Sequence, residues 1–431
     1  MFSQAITERH CRHHKLPATT VPSLSNFLGL ISTAIAANSS SASSVIANPF
    51  PFNPGFDISA AASIAASLST HNWEYGTCAE SLLELHNPTY SVFGPSPFPV
   101  PALDVSSTPS LAYAQKYIPF GINGISTGGG AAADPAALGV AALMIGRTNA
   151  TYTDACEKGT DYLVSGVPRW ANGAISHRAD VAELWADFTY MAPPYLAYFA
   201  AATDDEKLLE ESYRQCGYYR EVLLFNSSSS TFSPLNTSSS DGLWRHIVGP
   251  NSSDPWFWST GNAWAAAGMS RVLATIIKAP VAQNTTWQAN AVADLTGWIK
   301  EIIDGARRSS TDGGLLRNYL DDQWTEHGFG EISGSALLAA TALRMVVLAP
   351  KTFPSKTYVP WADSIRLQLG ASDANGVPHI SANGTATPAV NPLGWQDVNP
   401  WTAGSPEGQN FVILMYSAWR DCIWAGLCKE D

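Results

Sequence analysis

The run "HRADVAELWADFTYMAPPYLAYFA", His177 to Ala200, holds the residues best placed to do chemistry. Within it Asp187 lies between Trp185 and Tyr190, followed by Met191, Pro193 and Pro194. A carboxyl flanked by aromatic rings is partly desolvated, which favours its neutral form. That raises its pKa toward the range useful to an acid that later acts as a base. The paired prolines free carbonyls one turn earlier and predict a kink beside the carboxyl. The same pattern also fits an ordinary helix start, with Asp187 as its cap and the aromatics as core. Both readings stay open at this level.

A second stretch runs from Gly242 through "GLWRHIV" and "DPWFWSTGNAWAAAGMSRVLATI". It gathers Trp244, Trp256, Trp258 and Trp264 around His246. Aromatic faces stack on the apolar faces of sugar rings, while polar side chains at the edge bind hydroxyls. The plainer alternative is a Trp-rich helix start packed in the core. Asp134 follows a Gly-rich turn and reads most simply as an N-cap, as does Glu331. Gly124-Ile125-Ser126-Thr127-Gly128 matches the G-x-S-x-G nucleophile elbow, but Pro119 argues against the strand that the elbow requires. Asp321-Asp322, in the polar "NYLDDQW", reads as a solvated loop pair. Apart from His10, His13 and His14 in the expected presequence, the histidines lack i,i+4 spacing, so neither a metal site nor a cofactor is expected.

These residues need a scaffold, and the chain reads as helix after helix. Residues 57–70 and 76–86 are Ala/Leu/Glu-rich, and Thr108-Pro109 and Asp134-Pro135 each place Pro at a first helical position. Asp180 and Glu183 have capping-box spacing. Further helices are expected near 151–166, 187–202, 205–223, 260–278, 286–306, 332–347, 358–369 and 407–425, about twelve in all. Strand signals are scarce. Long loops at 87–107, 226–241 and 370–406 suit functional lids or surface insertions. Six consecutive helix pairs without a sequence repeat predict a closed (α/α)6 barrel, all-α, rather than an open solenoid.

Composition narrows the function classes. The 431 residues carry a net charge of −12, only 14% charged residues and 45% hydrophobic ones, too apolar for intrinsic disorder. The acidic balance argues against nucleic acid or an anionic membrane as partner. No apolar run reaches the roughly 20 residues of a membrane span. Residues 1–36 read as a secretory signal: Arg9, Arg12 and Lys15, then an apolar stretch and Ala34-Ile35-Ala36. Residues 37–53 read as a Ser/Pro-rich linker and 54–431 as one catalytic domain. Sequons begin at Asn38, Asn149, Asn226, Asn236, Asn251, Asn284 and Asn383, which fits an extracellular glycoprotein. With Cys11 gone, Cys78, Cys156, Cys216, Cys422 and Cys428 remain, an odd set with at least one free thiol and one or two disulfides. Ring closure suggests Cys78 meeting Cys422 or Cys428. Oligomeric state is not legible.

The chain resembles the unsaturated rhamnogalacturonyl hydrolases and unsaturated glucuronyl hydrolases, glycoside hydrolase families 105 and 88. The likeness rests on W-x-D-x-x-Y-M-x-x-P-x-L-A (Trp185, Asp187, Tyr190, Met191, Pro194, Leu196, Ala197) and on Gly242, Leu243 and His246. It continues through Trp258, Gly261, Asn262 and Trp264 to Glu331, Ser333, Gly334, Ser335 and Ala336. It runs from about residue 108 to 347 and more loosely to the end. The resemblance implies removal of a 4,5-unsaturated uronic acid from lyase-generated oligosaccharides. It makes Asp187 the acid/base at C4 and C5 and Asp134 a supporting carboxyl. His177, Trp185, His246, Trp258, Asn262 and Trp264 would line the pocket. One position departs: Thr260 stands where the family has Arg, leaving Arg178 or Arg245 to hold the uronate carboxylate. Two alternatives stay open, a glycosidase for saturated oligosaccharides using Asp134, Glu331 or Asp322 as second carboxylate, and a non-catalytic carbohydrate binder. A serine esterase through Ser126 is a distant third.

Overall fold

The computed structural model describes residues 45–126, 130–227, 240–323 and 325–430. The signal region, Asn38, Asn236 and Gly128 lie outside the described residues. Twelve α-helices run along the described chain: α1 Ile58–Leu68, α2 Asn72–His86, α3 Pro109–Ala114, α4 Gly139–Gly146, α5 Ala150–Asp161 and α6 Phe188–Thr203. After them come α7 Glu206–Leu223, α8 Ser259–Lys278, α9 Gln288–Arg308, α10 Ile332–Leu348, α11 Ser355–Leu369 and α12 Pro406–Trp424. Two short antiparallel ladders complete the list, β1 Leu184–Trp185 with β2 Ile247–Val248 and β3 Thr311–Asp312 with β4 Leu315–Leu316.

The even-numbered helices form an inner ring. A 3-10 turn, Asp134–Leu138, leads into α4 and packs between α2 and α6; α6 packs on α8, α8 on α10, α10 on α12, and α12 returns to α2. The odd-numbered helices lie outside, α7 on α6, α9 on α8 and α11 on α10. This is the closed (α/α)6 barrel that the helix count predicts. Composition explains the sorting: α8 and α10 are buried on nearly every face, whereas α7 and α9 keep one charged face in solvent.

Close packing of the inner ring depends on small residues. At Gly268, in α8, a methyl would sit 2.1 Å from the carbonyl oxygen of Thr189 in α6. That carbonyl is the one Pro193 leaves without its usual i+4 donor, so glycine and proline together let the two backbones touch. Helix α6 continues through both prolines. Lower in the bore, ion pairs Arg271–Glu80 (2.9 Å) and Arg344–Glu84 (2.6 Å) link the inner helices.

Three expectations are corrected. Residues 180–186 form bends and β1 rather than a capped helix, and Glu183 is spent on β1 and the loop after β2: its carboxylate accepts from Trp185 Nε1 and from the backbone of Asn251 and Ser252. The end of the supposed linker is bound to the barrel, because Phe52 packs on Trp419 and Phe50 on Tyr416. Cys422 pairs with Cys428 across the end of α12, while Cys78, Cys156 and Cys216 are buried free thiols.

Candidate active site

The inner helices all begin at one end of the barrel, and their first turns touch around the ring. Trp73 of α2 donates to Glu407 of α12 (2.9 Å), and Ser259 of α8 donates to Glu331 at the start of α10 (2.8 Å). Asp187, at the start of α6, meets His246 just before β2. Helix N-termini carry partial positive charge, which explains why this rim gathers Glu74, Asp134, Asp187, Glu331 and Glu407.

Two carboxyl–imidazole pairs lie side by side on this rim. Asp187 Oδ2 is 3.2 Å from His246 Nε2, and Asp134 Oδ1 is 3.7 Å from His177 Nε2. The side chains of Asp187 and Asp134 keep 15% and 17% of their surface accessible, so both carboxyls face the pocket rather than the core. Neither behaves as a cap: Asp187 occupies the N-cap position of α6 without a capping bond, and Asp134 makes none either. His177 stacks on Trp185 at 4.9 Å. His246 packs against Trp258 at 4.4 Å and against the edge of Trp185 at 5.7 Å.

Their electrostatics differ from the expectation for Asp187. Burial pushes that carboxyl upward, but His246 and then His177 outweigh it, so Asp187 ends below the usual carboxylate value. The proton sits next door. Burial, reinforced by the charge of Asp187, lifts Asp134 from 3.8 to about 8 although Arg178 opposes the rise. His246 rises to about 9, because its two carboxylate neighbours overcome the cost of burial, while burial lowers His177 to about 4. At neutral pH the floor therefore holds one ionised carboxylate, one protonated carboxyl and an imidazolium.

The other expected site residues divide. Trp185, half-buried, stands beside His246, whereas Trp258 is fully buried against that imidazole with its Nε1 donating to Asn318. Asn262 is fully buried and spends its amide on the backbone of Trp244 and Trp258, so it shapes the wall and leaves nothing for a sugar hydroxyl. Trp264 is fully buried beneath the site, against Tyr190 and Phe411. Glu331 is a helix cap, accepting from the amides of Ser333 and Gly334. Thr260 is fully buried. Arg245 donates to the carbonyl of Val222, away from the pocket, whereas Arg178 lies near enough to act on both Asp134 and His177. Asp322 is spent on Thr325, and Asp321 is half-buried, with burial raising it to about 6. Around Ser126 there is only a tight turn, with no strand before it. No group of three or more His, Cys, Asp or Glu suited to a metal ion occurs among the described residues.

Three residues that sequence reasoning missed complete the site. Trp395, from the loop after α11, packs on Trp185, His246 and Trp258. The length and Gly/Pro content of that loop marked it as functional, yet nothing singled out this tryptophan. Asp254 lies directly behind His246, its Oδ2 2.9 Å from Nδ1. Glu407 is buried, and burial and the charge of Asp187 hold its carboxyl well above the usual range.

Comparison with known proteins places this arrangement. The chain is 22% identical over 198 residues to an unsaturated rhamnogalacturonyl hydrolase, YesR, of Bacillus subtilis, a match covering 44% of this chain and 51% of that protein. It is 27% identical over 153 residues to an unsaturated 3S-rhamnoglycuronyl hydrolase of Formosa agariphila, covering 35% of this chain and 37% of that one. The chain thus matches about half, or less, of the length of these relatives. The crystal structure of a possible member of the GH105 family from Salmonella enterica superposes with a TM-score of 0.59 at 15% identity, over 94% of this chain and 96% of that one, which shows a shared fold. The family model described as Glycosyl Hydrolase Family 88 matches residues 136–364, a span that takes in Asp187, both pocket histidines and the inner helices from α4 to α10. That match covers more than half of the sequence, and the chain belongs to glycosyl hydrolase family 88.

Proposed function

We propose that the protein is a glycoside hydrolase that removes a 4,5-unsaturated uronic acid from lyase-generated oligosaccharides by hydrating the vinyl ether. The observation that carries this reading is the pair of part-accessible carboxyls on the rim, Asp187 Oδ2 3.2 Å from His246 Nε2 and Asp134 Oδ1 3.7 Å from His177 Nε2. Burial raises Asp134 toward its protonated form, and His246 holds Asp187 low. Asp134 gives its proton to C4 of the C4=C5 bond, and positive charge develops at C5. Asp187 takes a proton from a water, whose oxygen bonds to C5. The resulting hemiketal opens at the C5–ring-oxygen bond. C1 is left as a hemiacetal that collapses to an aldehyde and releases the remaining sugar. The sum is addition of one water, and the two carboxyls end with their proton exchanged, which solvent access restores. Ordinary glycosidases place two carboxyls across the glycosidic bond; here neither needs to reach the glycosidic oxygen, since hydration precedes cleavage.

Arg178 is the cation in this reading for the uronate carboxylate. Its side chain is 34% exposed, and its ion pair among the described residues is with Asp180, at 3.7 Å and itself 65% exposed, which leaves it available to a substrate. The half-buried indoles of Trp185 and Trp395, 5.5 Å apart, suit the apolar faces of sugar rings. The relatives' names, unsaturated rhamnogalacturonyl and rhamnoglycuronyl hydrolases, support the same substrate class.

The test is loss of the C4=C5 absorbance on incubation with pectin-lyase products. Asp187→Asn should abolish that loss while leaving the protein folded; retained turnover would remove Asp187 from the mechanism. A second reading, hydrolysis of a saturated oligosaccharide, draws on Glu407, a buried carboxyl that burial and the charge of Asp187 hold above the usual range. Release of reducing sugar from untreated polysaccharide, with unsaturated oligosaccharides unchanged, would select it.

Secretion belongs to the proposal. The Cys422–Cys428 disulfide and the exposure of Asn149, Asn226, Asn251, Asn284 and Asn383 support an oxidising, glycosylating route. Deglycosylation followed by mass spectrometry of the protein from its native source would test it, and an unmodified chain would refute it.

A further inference from the structure

Asp254 belongs to none of the motifs that carry the family likeness, yet three segments distant in sequence converge on one of its oxygens. Oδ2 lies 2.9 Å from His246 Nδ1 and accepts from Tyr319 at 2.8 Å and Trp395 Nε1 at 3.1 Å. The other oxygen, Oδ1, accepts from the Trp256 amide at 3.3 Å. The side chain is 1% exposed, and the imidazole it touches is 0% exposed. A buried carboxylate gathering this many donors is organised for a task, because an unpaired charge there would be costly. Its place is telling: His246 is held between two carboxylates, Asp254 behind and Asp187 in front.

We propose that Asp254 is a positioning residue for catalysis, which fixes the ring and protonation of His246 and through it keeps Asp187 an ionised base. The hydrogen bond to Asp254 orients the imidazole with Nδ1–H pointing back, so Nε2 faces Asp187. With both carboxylates beside it the ring carries a proton, and that positive charge stabilises the ionised form of Asp187. Other titratable groups bear on this chain of contacts as well: Tyr319 is bonded to Asp254, and His177 adds to the pull of His246 on Asp187. Burial lowers His177 to about 4, so His246 carries the larger part. Trp395 ties the long loop after α11 into the same unit, so the wall of the substrate pocket and the tuning of the base share one anchor.

The inference rests on the proposed hydrolase reading for its kinetic part alone. In Asp254→Asn, turnover of the unsaturated oligosaccharides should fall on the order of 100-fold, with KM little changed. The pH profile should narrow from its acidic side. Asp187 loses part of its cationic support, moving the acidic limb to higher pH, while the alkaline limb, set by the proton donor Asp134, stays in place. Wild-type turnover in the variant, or a loss of turnover with an unmoved profile, would overturn the proposal, the latter marking a packing defect. A histidine NMR titration of the wild-type protein needs neither substrate nor a folded variant. His246 should titrate near 9 with a protected Nδ1 proton, and titration near the ordinary histidine value would overturn the idea. If wild type has no activity on unsaturated uronides, the hydrolase reading fails, and the titration still decides the role of Asp254.

Discussion

Replacing Asp134 by Asn tests the electrostatic asymmetry of the floor most directly. The folded carboxyl is raised from 3.8 to about 8, so the native state holds its proton over a range in which the unfolded chain has released it. This group's contribution to stability is therefore fully present below pH ~4, declines as pH rises, and is lost above the folded value near 8. Four pH units at ~1.4 kcal/mol each set a ceiling of ~6 kcal/mol on that loss. The side chain keeps 17% of its surface in contact with solvent and has Arg178 nearby, and such access reduces the measurable part to ~2 kcal/mol. An asparagine has the same shape and never ionises. Asp134→Asn should therefore match wild type in urea unfolding at pH 4 and exceed it by ~2 kcal/mol at pH 9. Glu84, Glu407 and Asp321 are also raised, but they contribute equally to both proteins, so the difference isolates Asp134. At pH 7 the same variant should lose ~100-fold or more in turnover, because an amide cannot supply the proton to C4. Parallel stability curves across pH 5 to 9 would refute the raised carboxyl. A stabilised variant with intact turnover would refute its role as proton donor.

Trp395→Ala should raise KM for the oligosaccharide ~10-fold by opening the aromatic wall, read from initial rates over a substrate series; an unchanged KM would take the loop out of the binding site. Gly268→Ala should destabilise the barrel by ~3 kcal/mol in chemical denaturation, since a methyl 2.1 Å from the Thr189 carbonyl forces α6 and α8 apart. Wild-type stability in that variant would show that the inner ring yields easily at this contact.

Much of the architecture was legible because helices announce themselves locally. The Thr108-Pro109 start, the apolar runs of α8 and α10 and the charged faces of α7 and α9 are properties of neighbouring residues, and so are the twelve helices they predict. The family resemblance singled out Asp187 and Asp134, and the structure brings both to one rim beside His246 and His177. Their protonation was not legible. Aromatic neighbours in sequence suggested a raised Asp187, but His246, 59 positions downstream by its number, reverses the sign through space. The resemblance put Asn262 among the pocket residues; only packing shows its amide already committed to backbone.

Sequence alone determined the helical periodicity, the small residues that let an inner ring close, and the chemical inventory of acids, imidazoles and indoles. Tertiary structure decided which of those groups meet: Trp395 with Trp185, Asp254 with His246, Cys422 with Cys428 instead of Cys78. The physical reason is range. Propensity, capping and amphipathicity act over a few residues, whereas a pKa is set by whatever charges and solvent lie within several ångströms, and chain order does not encode that distance.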